Sequence, residues 1–324
     1  MLSWPSVGVW LKSLLNRTVN FFPLLLSLLA ALLVASVLLL TMNANPIEAI
    51  GSMLQGAFGT ENASAETLVK AIPVLFIAIG ICIAFRGGVV NIGGEGQMIF
   101  GALAGTSIAL ALSQLPGTII IFTSLIGGFV AGALFGGIAG FLKAYFGVNE
   151  ILSTIMLNQV AVQMMNFLLN GPLLDPATAG SNNIPKTARI VEQAELPRLS
   201  IGLLGGTELF AKTRLHYGLI LAIILAAVIY ILLWRTTIGY RIRAVGENER
   251  AARYAGLNVQ RQIMLSMLLA GGFAGLAGVV QVLGLQYRLQ TDGSPGGFTG
   301  GAGFIGANFV LDWIEQAREP VVNL

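Results

Sequence analysis

Long apolar runs alternate with short polar segments along almost the whole chain. A helix needs about 20 mostly apolar residues to cross the hydrocarbon core of a bilayer. The runs that approach or exceed this length are residues 21–41, 69–85, 97–113, 117–142, 151–169, 217–234 and 262–284. The pattern predicts an all-α fold, a polytopic transmembrane helix bundle with at least seven spans. The runs 69–85 and 97–113 are short, which predicts tilted, broken or re-entrant segments.

Composition supports a membrane protein and excludes several other classes. The chain has 324 residues, of which 55% are hydrophobic and 10% charged, whereas soluble domains have about 25% charged residues. Cys82 and His216 are the single cysteine and the single histidine. A disulfide framework and a cysteine-based metal site are therefore excluded, no cofactor is expected, and a membrane enzyme is disfavoured for lack of a nucleophile–base set.

The basic residues predict the orientation, because cytoplasmic loops carry an excess of Lys and Arg. The net charge of +3 lies in short loops, so it indicates topology rather than nucleic-acid binding. We expect a cytoplasmic N-terminus at residues 1–20, a transmembrane domain at 21–311 and a polar tail at 312–324. Within the domain, loop 170–216 is expected outside the cell, and the arginine-rich loop 235–261 inside.

Glycine recurs every four residues in two of the runs. Gly128, Gly132, Gly136 and Gly140 share one helix face, and Gly271 and Gly275 repeat the spacing. A face without side chains lets another helix approach closely. This spacing predicts tight helix packing rather than a phosphate-binding loop.

A glycine-rich connection between the two short runs carries polar groups. Asn91, Glu95 and Gln97 stand among Gly93, Gly94 and Gly96, and Glu95 is expected in the first turn of the next helix, where the helix dipole favours an anion. One interpretation is a broken-helix element at a transport pathway. The other is a cytoplasmic turn with a capping carboxylate.

The run 151–169 has two polar rows at helical spacing. Glu150, Thr154 and Asn158 form the first row, and Gln159, Gln163 and Asn166 form the second. Polar groups are costly in lipid, so both rows must face other helices or water. They could line a hydrophilic path for a polar solute, or they could join helices by hydrogen bonds.

The loop 239–259 contains an alanine-rich helical stretch, residues 249–255, that we expect to end at Gly256. A short helix between two spans could dock into a groove on another protein. Alternatively, the loop is solvated and its arginines face lipid headgroups.

Three segments, residues 91–97, 147–158 and 244–258, resemble permease subunits of ABC importers of the branched-chain amino acid and ribose type, and most of all the simple-sugar and nucleoside branch. The resemblance covers about residues 71–301. It implies a pathway formed with a second permease subunit, a separate cytoplasmic ABC ATPase and an extracytoplasmic solute-binding lipoprotein. It also implies a small polar solute and a location in the cell membrane of a bacterium.

In that family the loop 244–258 is the coupling element, so the candidate ATPase contacts are Glu249, Arg250, Ala251, Ala252 and Gly256. The candidate pathway residues are Asn91, Glu95, Gln97, Asn158, Gln159 and Gln163. Arg250 stands where the family usually has Glu. The family also continues with further apolar helices, whereas run 304–311 is too short to span, which predicts a tail truncated relative to the family.

Two other functions remain open at this point. A stand-alone secondary transporter or channel would need ionisable groups for ion coupling, and only Glu95 and Glu150 are candidates. An ABC permease for branched-chain amino acids is the second alternative. The amide-rich rows favour a polar uncharged solute, such as a nucleoside or a simple sugar.

Overall fold

The computed structural model describes residues 7–41, 43–178, 185–202, 208–210 and 213–290. These residues are mostly helical, and the chain falls into two compact units, 1–64 and 65–324. The tail 312–324 and the run 304–311 lie outside the described residues. A minimal antiparallel pair, Ile201–Gly202 with Glu208–Leu209, is the strand structure in the described part of the chain.

The first unit holds α1 (Val7–Thr41) and α2 (Pro46–Phe58). Asn45 begins α2, and its side-chain oxygen accepts a hydrogen bond from Ile47 N at 3.0 Å. The segment Leu25–Thr41 and α2 are bent by 112°. Helix α1 begins at Val7, well before the apolar run that starts at residue 21. The segment after α1 contains α2, because an Asn cap followed by Pro starts a helix.

The second unit holds the remaining helices. Their bounds are α3 (Glu61–Arg86, begun in the first unit), α4 (Gly94–Ala111), α5 (Gly117–Phe146), α6 (Glu150–Leu169), α7 (Gly218–Arg235), α8 (Thr237–Glu247), α9 (Glu249–Tyr254) and α10 (Val259–Gln281). A π-helix, Val282–Gln286, continues α10. Two 3-10 turns, Pro176–Thr178 and Glu192–Ala194, interrupt the long connection between α6 and α7.

The number of spans is smaller than the hydrophobic runs predict. Among the described residues, α3, α5, α6, α7 and α10 with its π-helix are long and apolar enough to cross a membrane, and the bent pair Leu25–Thr41 and Pro46–Phe58 adds a sixth span if counted as one. At least seven spans are therefore not confirmed. Most of the run 97–113 lies in α4, an 18-residue helix that begins three residues earlier, at Gly94. Its first turn contains the polar residues Glu95 and Gln97.

Helix α3 corrects the prediction of a short span. It has 26 residues, because its first two turns are polar and extend beyond the apolar run. Thr60 stabilises the start of α3, since its hydroxyl oxygen accepts a hydrogen bond from Ala63 N at 3.1 Å. Hydropathy marks where the apolar environment ends, whereas a capped helix can continue past that point.

The core of the second unit is built on α10, which packs against α4 and α5. A methyl group added at Gly132 would overlap backbone atoms of Gly271 and Gly275, and one added at Gly275 would overlap Gly128 O. The added methyl at Gly101, on α4, would meet the backbone of Gly275 as well. The predicted close packing of glycine faces is confirmed, and it joins three helices rather than two.

The long connection between α6 and α7 closes one end of this core. Thr187 N donates to Leu289 O at 2.9 Å, and Ile190 N donates to Tyr287 O at 2.9 Å. His216 is buried at the same end, where its Nδ1 accepts a hydrogen bond from Gly218 N at 3.2 Å. Burial lowers the pKa of His216 to about 4, so the imidazole is neutral at physiological pH.

Candidate transport site and coupling helix

The broken element between α3 and α4 is a tight reversal of the chain. Helix α3 ends at Arg86, Gly88 has a left-handed φ of +74°, and α4 begins at Gly94. Glu95 lies in the first turn of α4, as predicted. Because glycine adopts positive φ without strain, Gly88 lets the chain turn back into the core instead of leaving it.

Two side-chain amides lock this reversal. Asn91 Nδ2 donates to Gln97 Oε1 at 2.9 Å, and Gln97 Nε2 donates back to Asn91 Oδ1 at 3.0 Å. Asn91 Oδ1 also accepts from Gly93 N at 3.0 Å. Both side chains are 2% exposed. Buried amides must have their hydrogen bonds made, and this reciprocal pair meets that need within the reversal itself.

Asn158 on α6 joins the reversal to a third helix. Its Oδ1 accepts from Gly96 N at 2.9 Å, and its Nδ2 donates to Ile92 O at 3.1 Å. The first N–H groups of a helix have no partner within the helix, so Asn158 satisfies one such donor of α4. A Cβ at Gly96 would lie 2.9 Å from Asn158 Oδ1, which explains the glycine there.

The structure separates the predicted pathway residues into two groups. Asn91, Gln97 and Asn158 come together in one buried cluster, and Glu95 is half-buried beside them. Gln159 and Gln163 lie on the opposite, exposed face of α6. The first row of α6 therefore makes contacts within the chain, whereas Gln159 and Gln163 of the second row are exposed on the surface of the chain.

The buried row of α6 includes an ion pair that the sequence reasoning missed. Lys143 Nζ lies 2.9 Å from Glu150 Oε2, and Thr154 donates its hydroxyl to Glu150 O at 2.7 Å. The feature of the sequence that could have indicated this ion pair is Gly147, which lies in the turn between α5 and α6 and has a φ of +68° in the structure. A left-handed glycine reverses the chain, which brings Lys143 and Glu150 to the same place.

The predicted coupling stretch is a helix ended by a left-handed glycine. Helix α9 spans Glu249–Tyr254, and Asn248 Oδ1 caps it by accepting from Ala251 N at 3.0 Å. Gly256 has a φ of +79°. The prediction of a short helix that stops at Gly256 is confirmed, because both ends have the residues that such ends require.

The two alanines of α9 face opposite ways. Ala252 is 3% exposed and packs in a cluster with Val245, Val259 and Ile263, whereas Ala251 is exposed. The surface that α9 offers is a cavity of about 380 Å³ lined by Glu249, Arg250, Arg253 and Tyr254. Ala252 thus anchors α9 to its own chain.

The fold and this site define a multi-pass α-helical membrane protein with a buried polar reversal. Residues 64–307 match the family described as branched-chain amino acid transport system, permease component, and the chain belongs to that family. Its members are transport components rather than enzymes, and no solved structure matches the chain.

Three relatives are similar over most of their length. The glucose ABC transporter permease protein TsgB13 of Haloferax volcanii is 34% identical over 85% of this chain and 71% of the relative. The guanosine ABC transporter permease protein NupP of Bacillus subtilis is 33% identical over 89% and 78%. The nucleoside ABC transporter permease protein NupB of Lactococcus lactis is 31% identical over 83% and 72%. These relatives confirm the resemblance to sugar and nucleoside permeases and disfavour a stand-alone transporter.

Proposed function

We propose that this chain is the membrane-spanning permease subunit of an ATP-driven importer that carries a nucleoside or a simple sugar. The relatives transport glucose, guanosine or nucleosides by name. The observation that carries the proposal is the exposed polar row of α6. Gln159 and Gln163 are exposed on a membrane-spanning helix, where amides are costly unless they face water or protein.

The solute pathway runs along this outer row, at the contact with a second permease subunit. Amide groups hydrogen-bond sugar hydroxyls and nucleobases without adding fixed charge. The buried amides Asn91, Gln97 and Asn158 have their hydrogen bonds made inside the chain. They hold the reversal in shape, so the pathway residues proper are Gln159, Gln163 and, at the edge of the reversal, Glu95.

The assignment as an importer permease also gives roles to the two long loops and to the other helices. Loop 235–261 is cytoplasmic and presents α9 to a separate ABC ATPase, and loop 170–216 is extracytoplasmic and receives a solute-binding lipoprotein. Seven segments lie in the membrane. They are the five candidate spans, helix α4 and the apolar half of α1. The membrane is the cell membrane of a bacterium, and the permease domain extends over residues 21–311.

Reconstitution tests this function directly. The chain, its ATPase and its binding protein in proteoliposomes should take up a nucleoside or a simple sugar when ATP is enclosed with the ATPase. The double variant Gln159→Leu and Gln163→Leu should lower uptake at least ten-fold. The matched control is Met156→Leu, which changes an exposed apolar side chain of the same helix. Uptake restricted to branched-chain amino acids, or full uptake by the double variant, would refute the proposal.

A further inference from the structure

A second cavity lies between two spans, away from the polar reversal. It has a volume of about 480 Å³ and lies between α3 and α7. Its lining is apolar except at one end, and it consists of Leu75, Ala78, Ile79, Cys82, Arg86, Ala226, Ile229, Tyr230, Leu233 and Trp234. On each helix these residues recur at three- or four-residue spacing, which makes both walls continuous helical stripes. We call this cavity the α3–α7 groove.

The length of the groove matches one leaflet of a bilayer. Its α3 wall runs from Leu75 to Arg86, which is roughly 17 Å of helix at about 1.5 Å per residue. The hydrocarbon core of a bilayer is about 30 Å thick, so one leaflet contributes about 15 Å. An acyl chain that begins at the Arg86 end would reach the middle of the membrane where the groove ends at Leu75.

The Arg86 end has a basic and aromatic composition. The guanidinium carbon of Arg86 lies 5.2 Å from the ring centre of Trp234, and that of Arg243 lies 4.4 Å from the same ring. Arg243 Nε donates to Leu233 O at 3.1 Å, which fixes its position. Within the described residues, no ion pair joins either arginine to a carboxylate. Arg86 lines the groove itself, and Arg243 lies beside it against the lining residue Trp234, so two positive charges stand at this end of the groove.

We propose that the α3–α7 groove binds one anionic phospholipid, with an acyl chain along the groove and the phosphate at Arg86 and Arg243. Basic pockets between transmembrane helices recognise anionic headgroups in this way, and Trp is typical of the membrane interface. The excess of arginine in loop 235–261 places this end in the cytoplasmic leaflet. The site is independent of the transported solute.

Quenching of Trp234 fluorescence tests the site in the full chain. The chain has four tryptophans. Replacing Trp4, Trp10 and Trp313 with Phe leaves Trp234 as the single tryptophan. This chain is placed in bilayers of increasing content of brominated phosphatidylglycerol or brominated phosphatidylcholine. Each basic residue near the surface favours anionic lipid roughly five-fold. Quenching should therefore reach half its maximum at a phosphatidylglycerol fraction at least ten-fold lower than that for phosphatidylcholine.

Variants separate this site from general attraction to the membrane. The preference is the ratio of the phosphatidylcholine fraction to the phosphatidylglycerol fraction at half-maximal quenching. The double variant Arg86→Gln and Arg243→Gln should bring this ratio close to one. Arg241→Gln, which removes an exposed arginine outside the groove, is the matched control and should leave the ratio unchanged. Ala226→Phe keeps both arginines and narrows the groove, so it should also abolish the preference. Near-equal quenching by both lipids would mean ordinary lipid solvation and would overturn the proposal. Weak quenching by both lipids would also overturn it, because protein would then cover the groove.

Discussion

Asn158 is a single residue on which the shape of the buried reversal depends. Asn158→Leu keeps the size of the side chain but leaves Gly96 N and Ile92 O without the partners they have now. Each buried unsatisfied group costs about 1–3 kcal/mol, so the variant, which leaves two of them, should be destabilised by about 2–6 kcal/mol. Thermal unfolding of the solubilised chain measures this. Gln159→Leu, the same type of change on the exposed face, should be near neutral, and equal losses would contradict the assignment.

His216 gives the chain a pH dependence of stability. Burial lowers the pKa of His216 from 6.5 to about 4 in the folded chain. Between these values the unfolded chain binds a proton that the folded chain does not, so stability falls as the pH falls from about 6.5 to about 4. The loss amounts to up to about 3 kcal/mol at about 1.4 kcal/mol per pH unit.

Unfolding of the wild type and of His216→Gln at pH 7.5, 5.5 and 4.5 would show this effect. The variant has no group that titrates at this position, so its melting temperature should fall less over the same range. Parallel curves for the two proteins would mean that the acid sensitivity comes from other groups.

At the scale of helices, glycine at a crossing point has a predictable role. A methyl group added at Gly275 would overlap the backbone of Gly128 and Gly132 on α5, so Gly275→Ala would force α10 and α5 apart. Overpacking of a tight core costs about 1–3 kcal/mol, and we expect a lower melting temperature and less folded protein. Gly56→Ala in α2 is the control, because nothing lies within 4 Å of the added carbon there. An unchanged Gly275→Ala protein would contradict the close packing.

The glycine faces and the end of α9 at Gly256 were predictable, because each depends on residues close together in the chain. The partners of Asn158 were not predictable, because Ile92 O and Gly96 N are backbone groups that look the same in every sequence. The exposed side of Gln159 was not predictable either, since the spacing shows that two rows exist but not which row faces the core.

For the whole molecule, the distribution of arginine predicts which end of the bundle faces the cytoplasm. After Cys82→Ser, a cysteine at exposed Ser200 should react with an impermeant maleimide in intact cells. A cysteine at Tyr254, which is 94% exposed, should react only after the cells are permeabilised. Labelling is measured by the shift in gel mobility or by fluorescence of the purified chain. The opposite pattern would invert the proposed orientation of both loops.

The same exposed tyrosine leads to a prediction about coupling. Tyr254 is an aromatic side chain at the end of α9 that its own chain leaves almost uncovered, although Ala252 beside it is buried. Exposed aromatic side chains with arginine neighbours are typical anchors of protein interfaces. If α9 docks into the ATPase, Tyr254→Ala should reduce both the co-purified ATPase and the solute-stimulated ATP hydrolysis at least ten-fold, with an unchanged melting temperature.

Tyr240→Ala is the matched control for this experiment. Tyr240 is also a strongly exposed tyrosine of the same loop, but it lies on α8, and its loss should leave coupling intact. Ala252→Asp provides the opposite case, since it places a charge in the cluster that anchors α9 and should lower the melting temperature together with coupling. These two variants separate docking from folding. Full ATPase stimulation in Tyr254→Ala would mean that the partner contacts another surface, and equal losses in Tyr254→Ala and Tyr240→Ala would mean that the whole loop, rather than α9, forms the contact.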